Sequence, residues 1–197
     1  FGTVWHDHRD QIHFGPLATF HNALENSPQD VDPPHWHETL RMESLIGPLT
    51  GMKIVEPGSC TGRCTVGLAE RGAMVTAIEP QEASFRKAAL YCRQMGVEDC
   101  VQLIHGDATI LEAMGTDQFD LLYHAGLLYH LESPVDHFCK VSRLCRRMFL
   151  DTHVADGRQA KHLGPMTEHE GLQGQWYVEP KEKGPWDGLG ARSFWMT

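Results

Sequence analysis

The chain has 197 residues, 41% hydrophobic and 22% charged, with 17 basic against 26 acidic side chains and a formal charge of −9. That length supports one domain with a sizeable core, and the acidic balance disfavours nucleic-acid partners built on phosphate backbones. No apolar run approaches the ~20 residues of a membrane-spanning helix and no leader is visible; cysteines without C-x-x-C pairs suit a reducing, cytoplasmic setting.

Residues 1–51 read as an irregular, histidine-rich cap. His6-Asp7-His8 and His35-Trp36-His37 look like metal ligands at first sight. Residues two apart share a face only on a strand, however, and Pro33-Pro34 places the second pair at the start of a helix. The spacing predicts that helix over Trp36–Ile46, with Trp36, Leu40, Leu45 and Ile46 facing the core and Gly47-Pro48 ending it.

Residues 52–154 alternate strand and helix. A strand from Lys53 reaches Glu56, and the turn Gly58-Ser59-Cys60-Thr61-Gly62 leads into a helix from Arg63 to about Arg71. Gly72 stops it, and a second strand from Met74 ends at Glu79-Pro80. Glycines let the backbone approach a ligand closely, and an acid ending the second strand suits a pair of ribose hydroxyls. This is a βαβ unit with a nucleoside site at its mouth. A helix over Gln81–Met95 follows, with Phe85, Ala88, Cys92 and Met95 as its stripe, then a third strand over Cys100–His105. Phe119–His124 is the fourth strand. Ser133-Pro134 opens a helix whose buried stripe is Val135, Phe138, Val141 and Cys145, and Met148–Val154 is the fifth strand. Five strands alternating with helices predict a mostly parallel sheet with ligands at its carboxyl edge. Beyond Val154 the alternation stops, and residues 155–197, rich in glycine and aromatics, are expected to form a substrate-covering loop.

Glu56 sits two residues before Gly58, where it would repel a pyrophosphate but accept a cationic amino-acid group. Glu56-x-Gly58-x-Cys60-x-Gly62 resembles the first motif of class I S-adenosylmethionine methyltransferases, acid-x-Gly-x-Gly-x-Gly, with Cys60 at the middle glycine. FDLLYHAGLLYHLESP, from Phe119 to Pro134, resembles the branch with a GLLYHL loop after the fourth strand. That branch includes small-molecule enzymes and tRNA wobble-uridine carboxymethyltransferases. The resemblance covers roughly residues 45–154. It implies a Rossmann-like three-layer αβα sandwich, S-adenosylmethionine as cofactor and S-adenosylhomocysteine as product. The cofactor-binding residues it implies are Glu56, Gly58, Ser59, Gly62, Glu79, Pro80, Asp107, Ala108 and His124. Asp107 matches the acid that bonds the adenine amino group, with Ala108 beside the ring; a helix N-cap is the other role open to Asp107. Relatives continue for two further strands that are absent here, so either the native chain is longer or a partner completes the sheet edge. A homodimer stays open.

Methyl transfer needs a positioned acceptor, a dry site and a base when the acceptor is an alcohol or acidic carbon. By its place in the loop, His130 is the first candidate for that base, with Tyr129 and His153 beside it. A purely structural role for His130, bonding loop backbone, is the alternative. His124, His153 and Asp151 could instead assemble a divalent metal site, although no metal is expected. The expected function is methyl transfer to a small-molecule oxygen, nitrogen or carbon. The alternatives are a catalytically silent binding subunit and a tRNA-modifying enzyme.

Overall fold

The computed structural model describes residues 4–6, 12–14, 36–157, 162–184 and 186–197. Apolar runs in the central region pair into a parallel sheet: β3 (Lys53–Pro57), β4 (Met74–Glu79), β5 (Val101–His105), β6 (Leu121–Ala125) and β7 (Met148–Asp151). Their spatial order is β5-β4-β3-β6-β7, every pair parallel. Two short strands, β1 (Val4–His6) and β2 (Ile12–Phe14), extend the β5 edge as an antiparallel pair. The chain runs outward from β3 through β4 to β5, then crosses back to β6 on the other side of β3. That reversal opens a crevice at the carboxyl ends of β3 and β6.

Helices α1 (Trp36–Ile46), α2 (Arg63–Ala69), α3 (Glu82–Gln94) and α4 (Pro134–Val141) flank the sheet. Strand alternation sends Ile54, Leu121 and Tyr123 to a core shared with Val66, Phe85 and Ala88. It sends Val55 and Leu122 to the opposite face, against Val141 and Leu144. The expected three-layer Rossmann-like architecture is present.

Two helical faces differ from expectation. Among the described side chains of α1, Thr39 and Met42 are buried and Ile46 packs against the core as expected, while Leu40 and Leu45 are 48% and 70% exposed. Arg71 explains the rotation, since it bonds Thr39 Oγ1 at 3.2 Å and pairs with Glu43, which holds this polar side of α1 inward. The α4 helix ends at Val141 and buries Pro134, His137 and Val141, leaving Phe138 exposed and Val135 half-buried. β7 stops at Asp151 because Ala125 of β6, its last partner, ends there. The His6–His8 and His35–His37 pairs lie outside the residues whose side chains are described.

Residues 155–197, expected as a loop, instead hold a second, antiparallel sheet of β8 (Leu163–His169), β9 (Leu172–Val178) and β10 (Arg192–Met196), ordered β10-β9-β8. The glycines that suggest a loop have specific uses here. Glu170 and Gly171 both take positive φ, 50° and 80°, the geometry of a two-residue hairpin turn. At Gly174 any Cβ would collide with the Trp195 carbonyl and the Phe194 ring. The sheet docks through Phe194 N–H to Leu131 O at 2.9 Å, Ala155 N–H to Met196 O at 2.7 Å, and Arg192 to Glu132 at 2.6 Å.

Candidate active site

A cavity of about 420 Å³ lies at the carboxyl ends of the parallel strands, under the segment leading into β10. Glu56, next to last in β3, is buried, with Thr65 Oγ1 of α2 donating to its Oε2 at 2.6 Å. Burial pushes the Glu56 carboxyl up to about 8; the Thr65 bond opposes this and the charge of Glu79 adds to it. The following turn closes on β4, with the N–H groups of Gly58 and Ser59 donating to Ile78 O at 2.8 and 3.0 Å. Cys60, at the middle-glycine position, takes φ 49°. Its N–H donates to Glu79 Oε2 at 2.7 Å, while Gln81 N–H donates to Oε1 at 2.8 Å. Gly62 has φ 81°, and a Cβ there would sit 2.9 Å from Ala88 Cβ, so glycine lets α2 start against α3.

Glu79 is therefore aimed by two backbone amides, and burial raises its carboxyl pKa against their pull. Each oxygen keeps lone-pair capacity for a ligand hydroxyl. Glu79→Ala should weaken S-adenosylhomocysteine binding by ~1–3 kcal/mol in calorimetry, since ligand hydroxyls would lose their acceptor. Unchanged affinity would remove the ribose assignment.

Pro80, Asp107 and Ala108 border the same cavity. Asp107 also caps the 3-10 turn at Ala108–Ala113, its Oδ1 accepting Thr109 N–H at 2.8 Å. The capping role is thus present, on a carboxylate that also borders the cavity.

The loop after β6 carries Tyr129 and His130 to the cavity wall. His130 Nδ1 lies 3.0 Å from Glu179 Oε1, and the Tyr129 ring lies 4.3 Å from the imidazole. His153 is exposed and stacks on Tyr129 at 4.1 Å, with Trp195 behind it, so it meets the site only through that ring. Burial, together with Asp151 and Glu179, raises the Tyr129 hydroxyl pKa. Glu179 escapes a reading of the sequence, since no local pattern marks it; Trp186–Gly190 fall in the segment expected to cover the substrate, and they line the cavity.

His124 does not join the site. On β6 it faces opposite to Tyr123, is 0% exposed, and its Nε2 meets His137 Nε2 of α4 at 3.1 Å. The strand continues one residue past it, so Ala125 and Gly126 border the cavity in its place. With His124 on the far side, the alternative metal site with His153 and Asp151 is not assembled. Among the described residues, no group of three or more His, Cys, Asp or Glu side chains could hold a metal ion.

Burial, then the neighbouring His137, lowers the His124 imidazole pKa to about 4. His137 is lowered too, chiefly by burial. A histidine buried neutral binds fewer protons folded than unfolded, so its contribution is present above the unfolded value and is lost as pH falls through ~6.5 toward the folded one. Relative to His124→Leu, the parent should lose ~2 kcal/mol of urea-measured stability between pH 7.5 and 5. Glu56 slopes the opposite way but cancels in that difference. A pH-independent difference would contradict the buried neutral pair.

The same fold occurs in solved structures that include the SAH-bound N-terminal domain of EvdMO1, at 22% identity. Residues 55–148 match the family described as "Methyltransferase domain". The chain is 26% identical over 142 residues to tRNA U34 carboxymethyltransferase of Shewanella frigidimarina, covering 70% of this chain and 42% of that protein. The Shewanella oneidensis protein of the same name matches with the same identity and coverage. The chain thus spans less than half the length of these curated relatives. Among solved structures, the N-terminal domain of EvdMO1 in the presence of SAH and D-fucose superposes with TM-score 0.70 at 21% identity, covering 91% of this chain and 80% of that one. A Burkholderia thailandensis 1,6-didemethyltoxoflavin-N1-methyltransferase, with 1,6-didemethyltoxoflavin and S-adenosylhomocysteine bound, gives 0.55 at 15% identity over 92% and 68%.

The residues present fit S-adenosylmethionine. Glu56 and Glu79 are buried acids at the strand ends, and the buried Ser59 hydroxyl beside them has no protein partner. An orphaned hydroxyl at a cavity wall calls for a ligand group or water.

Proposed function

We propose that this chain methylates a hydroxyl oxygen of a small molecule, using S-adenosylmethionine. The observation that carries the reading is His130, an imidazole at the cavity wall bonded to the buried carboxylate of Glu179. S-adenosylmethionine, when bound, supplies a methyl group already activated on a sulfonium. The protein then has three tasks: hold the cofactor, place the acceptor oxygen, and take its proton. Glu56, Gly58, Ser59, Gly62, Glu79, Pro80, Asp107 and Ala108 serve the first. His130 serves the last, with Tyr129 and the Trp186–Gly190 wall limiting water. His153 supports Tyr129 from behind. Free thiols among the described residues support a cytoplasmic setting, and no described helix is long and apolar enough to cross a membrane.

The second reading, a tRNA-modifying enzyme, is favoured by the names of the curated relatives. The charge of −9 weighs against it. Incubation with methyl-labelled S-adenosylmethionine should place label in a pool of hydroxylated small molecules and not in total tRNA. Calorimetry should show S-adenosylhomocysteine binding without competition from NAD or ATP, and only weak tRNA binding at physiological salt. Labelled tRNA, or tight and steeply salt-dependent tRNA binding, would promote the second reading.

A further inference from the structure

We infer that Glu179 is the positioning residue for His130, fixing its tautomer so that Nε2 presents a lone pair; the use of that lone pair in catalysis rests on the methyl-transfer reading above. Glu179 lies just beyond β9 and is 4% exposed. Its Oε1 meets His130 Nδ1 at 3.0 Å and accepts the Ser193 hydroxyl at 2.8 Å, while Oε2 accepts Gly188 N–H at 3.1 Å. Among the described residues no lysine or arginine pairs with it. A buried carboxylate is tolerated only when its oxygens are filled by donors, and here an imidazole N–H is one of them. With Nδ1 donating, the other ring nitrogen of neutral His130 is the acceptor.

The arrangement is built from three separate parts of the chain. His130 comes from the loop after β6, Ser193 from β10, and Gly188 from the cavity wall. At Gly188 a Cβ would lie 2.5 Å from Glu179 Oε1 and 3.1 Å from His130 Cβ, so only glycine lets the carboxylate and imidazole approach this closely. Tyr129, Glu132, Asp151, Asp187 and Arg192 border the same cavity, and His153 stacks behind Tyr129. None of them bonds His130 Nδ1. The second sheet therefore does more than cover the cavity: it supplies the group that orients the base.

The test needs no acceptor. Long-range 1H–15N correlation spectra of the full 15N-labelled chain at alkaline pH report the tautomer of each neutral histidine, with His130 assigned by its disappearance in His130→Asn. The parent protein should show His130 as the Nδ1–H form. Glu179→Leu, which leaves Nδ1–H without its acceptor, should lose most of that population. Glu179→Asp, which keeps the carboxylate, should retain more of it. An Nε2–H tautomer or an even mixture in the parent would overturn the assignment, whether or not the variants fold. So would a folded Glu179→Leu with an unchanged His130 signal. Calorimetry with S-adenosylhomocysteine on the same samples separates the two ideas. Absent binding sinks the methyl-transfer reading while leaving the tautomer result to judge Glu179.

Discussion

His130→Ala is expected to lower turnover by ~10²–10⁴-fold while leaving S-adenosylhomocysteine affinity nearly unchanged. The imidazole borders the cavity on the loop after β6 and is held by Glu179, whereas Glu56 and Glu79 belong to the βαβ unit, so its loss is expected to spare cofactor binding. An alcohol is a poor nucleophile until its proton has somewhere to go, and that assistance belongs to the transition state. The effect should therefore appear in kcat, with the cofactor's Kd as the control. Single-turnover assays with the accepted small molecule and parallel calorimetry would check both halves. Full turnover in His130→Ala would mean that positioning alone drives the reaction. A silent binding subunit would have no turnover to lose.

The second large effect concerns Glu56. Free protein holds this carboxyl at about 8, so at neutral pH it is mostly protonated. A cationic amino group binds the ionised form, and binding must therefore release a proton. From that value the ionised fraction grows from ~1% at pH 6 to ~24% at pH 7.5, so affinity for S-adenosylhomocysteine should rise about 20-fold across that interval. The sign follows from burial, which raises an acid's pKa, while an adjacent cation restores the charge. Calorimetry in two buffers of different ionisation enthalpy measures the released proton directly. Glu56→Gln should abolish both the release and the slope. A flat affinity profile without proton exchange would detach Glu56 from the cationic end of the ligand.

These two sites were legible in the sequence to different degrees. Glu56, Gly58, Gly62 and Glu79 sit within one short βαβ unit, so their meeting follows from local spacing and needs no distant partner. Asp107 has the same character: a polar residue at the mouth of a strand that also caps the next turn. His130 could be placed at the cavity from the loop it occupies. Its partner could not, because Glu179 lies 49 residues away, beyond a sheet that the glycines made look like a loop.

His124 shows why proximity in sequence misleads. Alternation on a strand assigns faces only once its end and register are known, and β6 runs one residue further than its apolar pattern suggests. The parallel sheet, its order of helices and strands, and the acid-and-glycine mouth of the cavity were determined by the sequence alone, because periodicity and turn chemistry act over a few residues. The burial of His124 against His137, the turned face of α1, the second sheet and the Glu179–His130 contact were decided only by the tertiary structure. Each depends on which distant side chain fills the space opposite, and local backbone preference does not encode that choice.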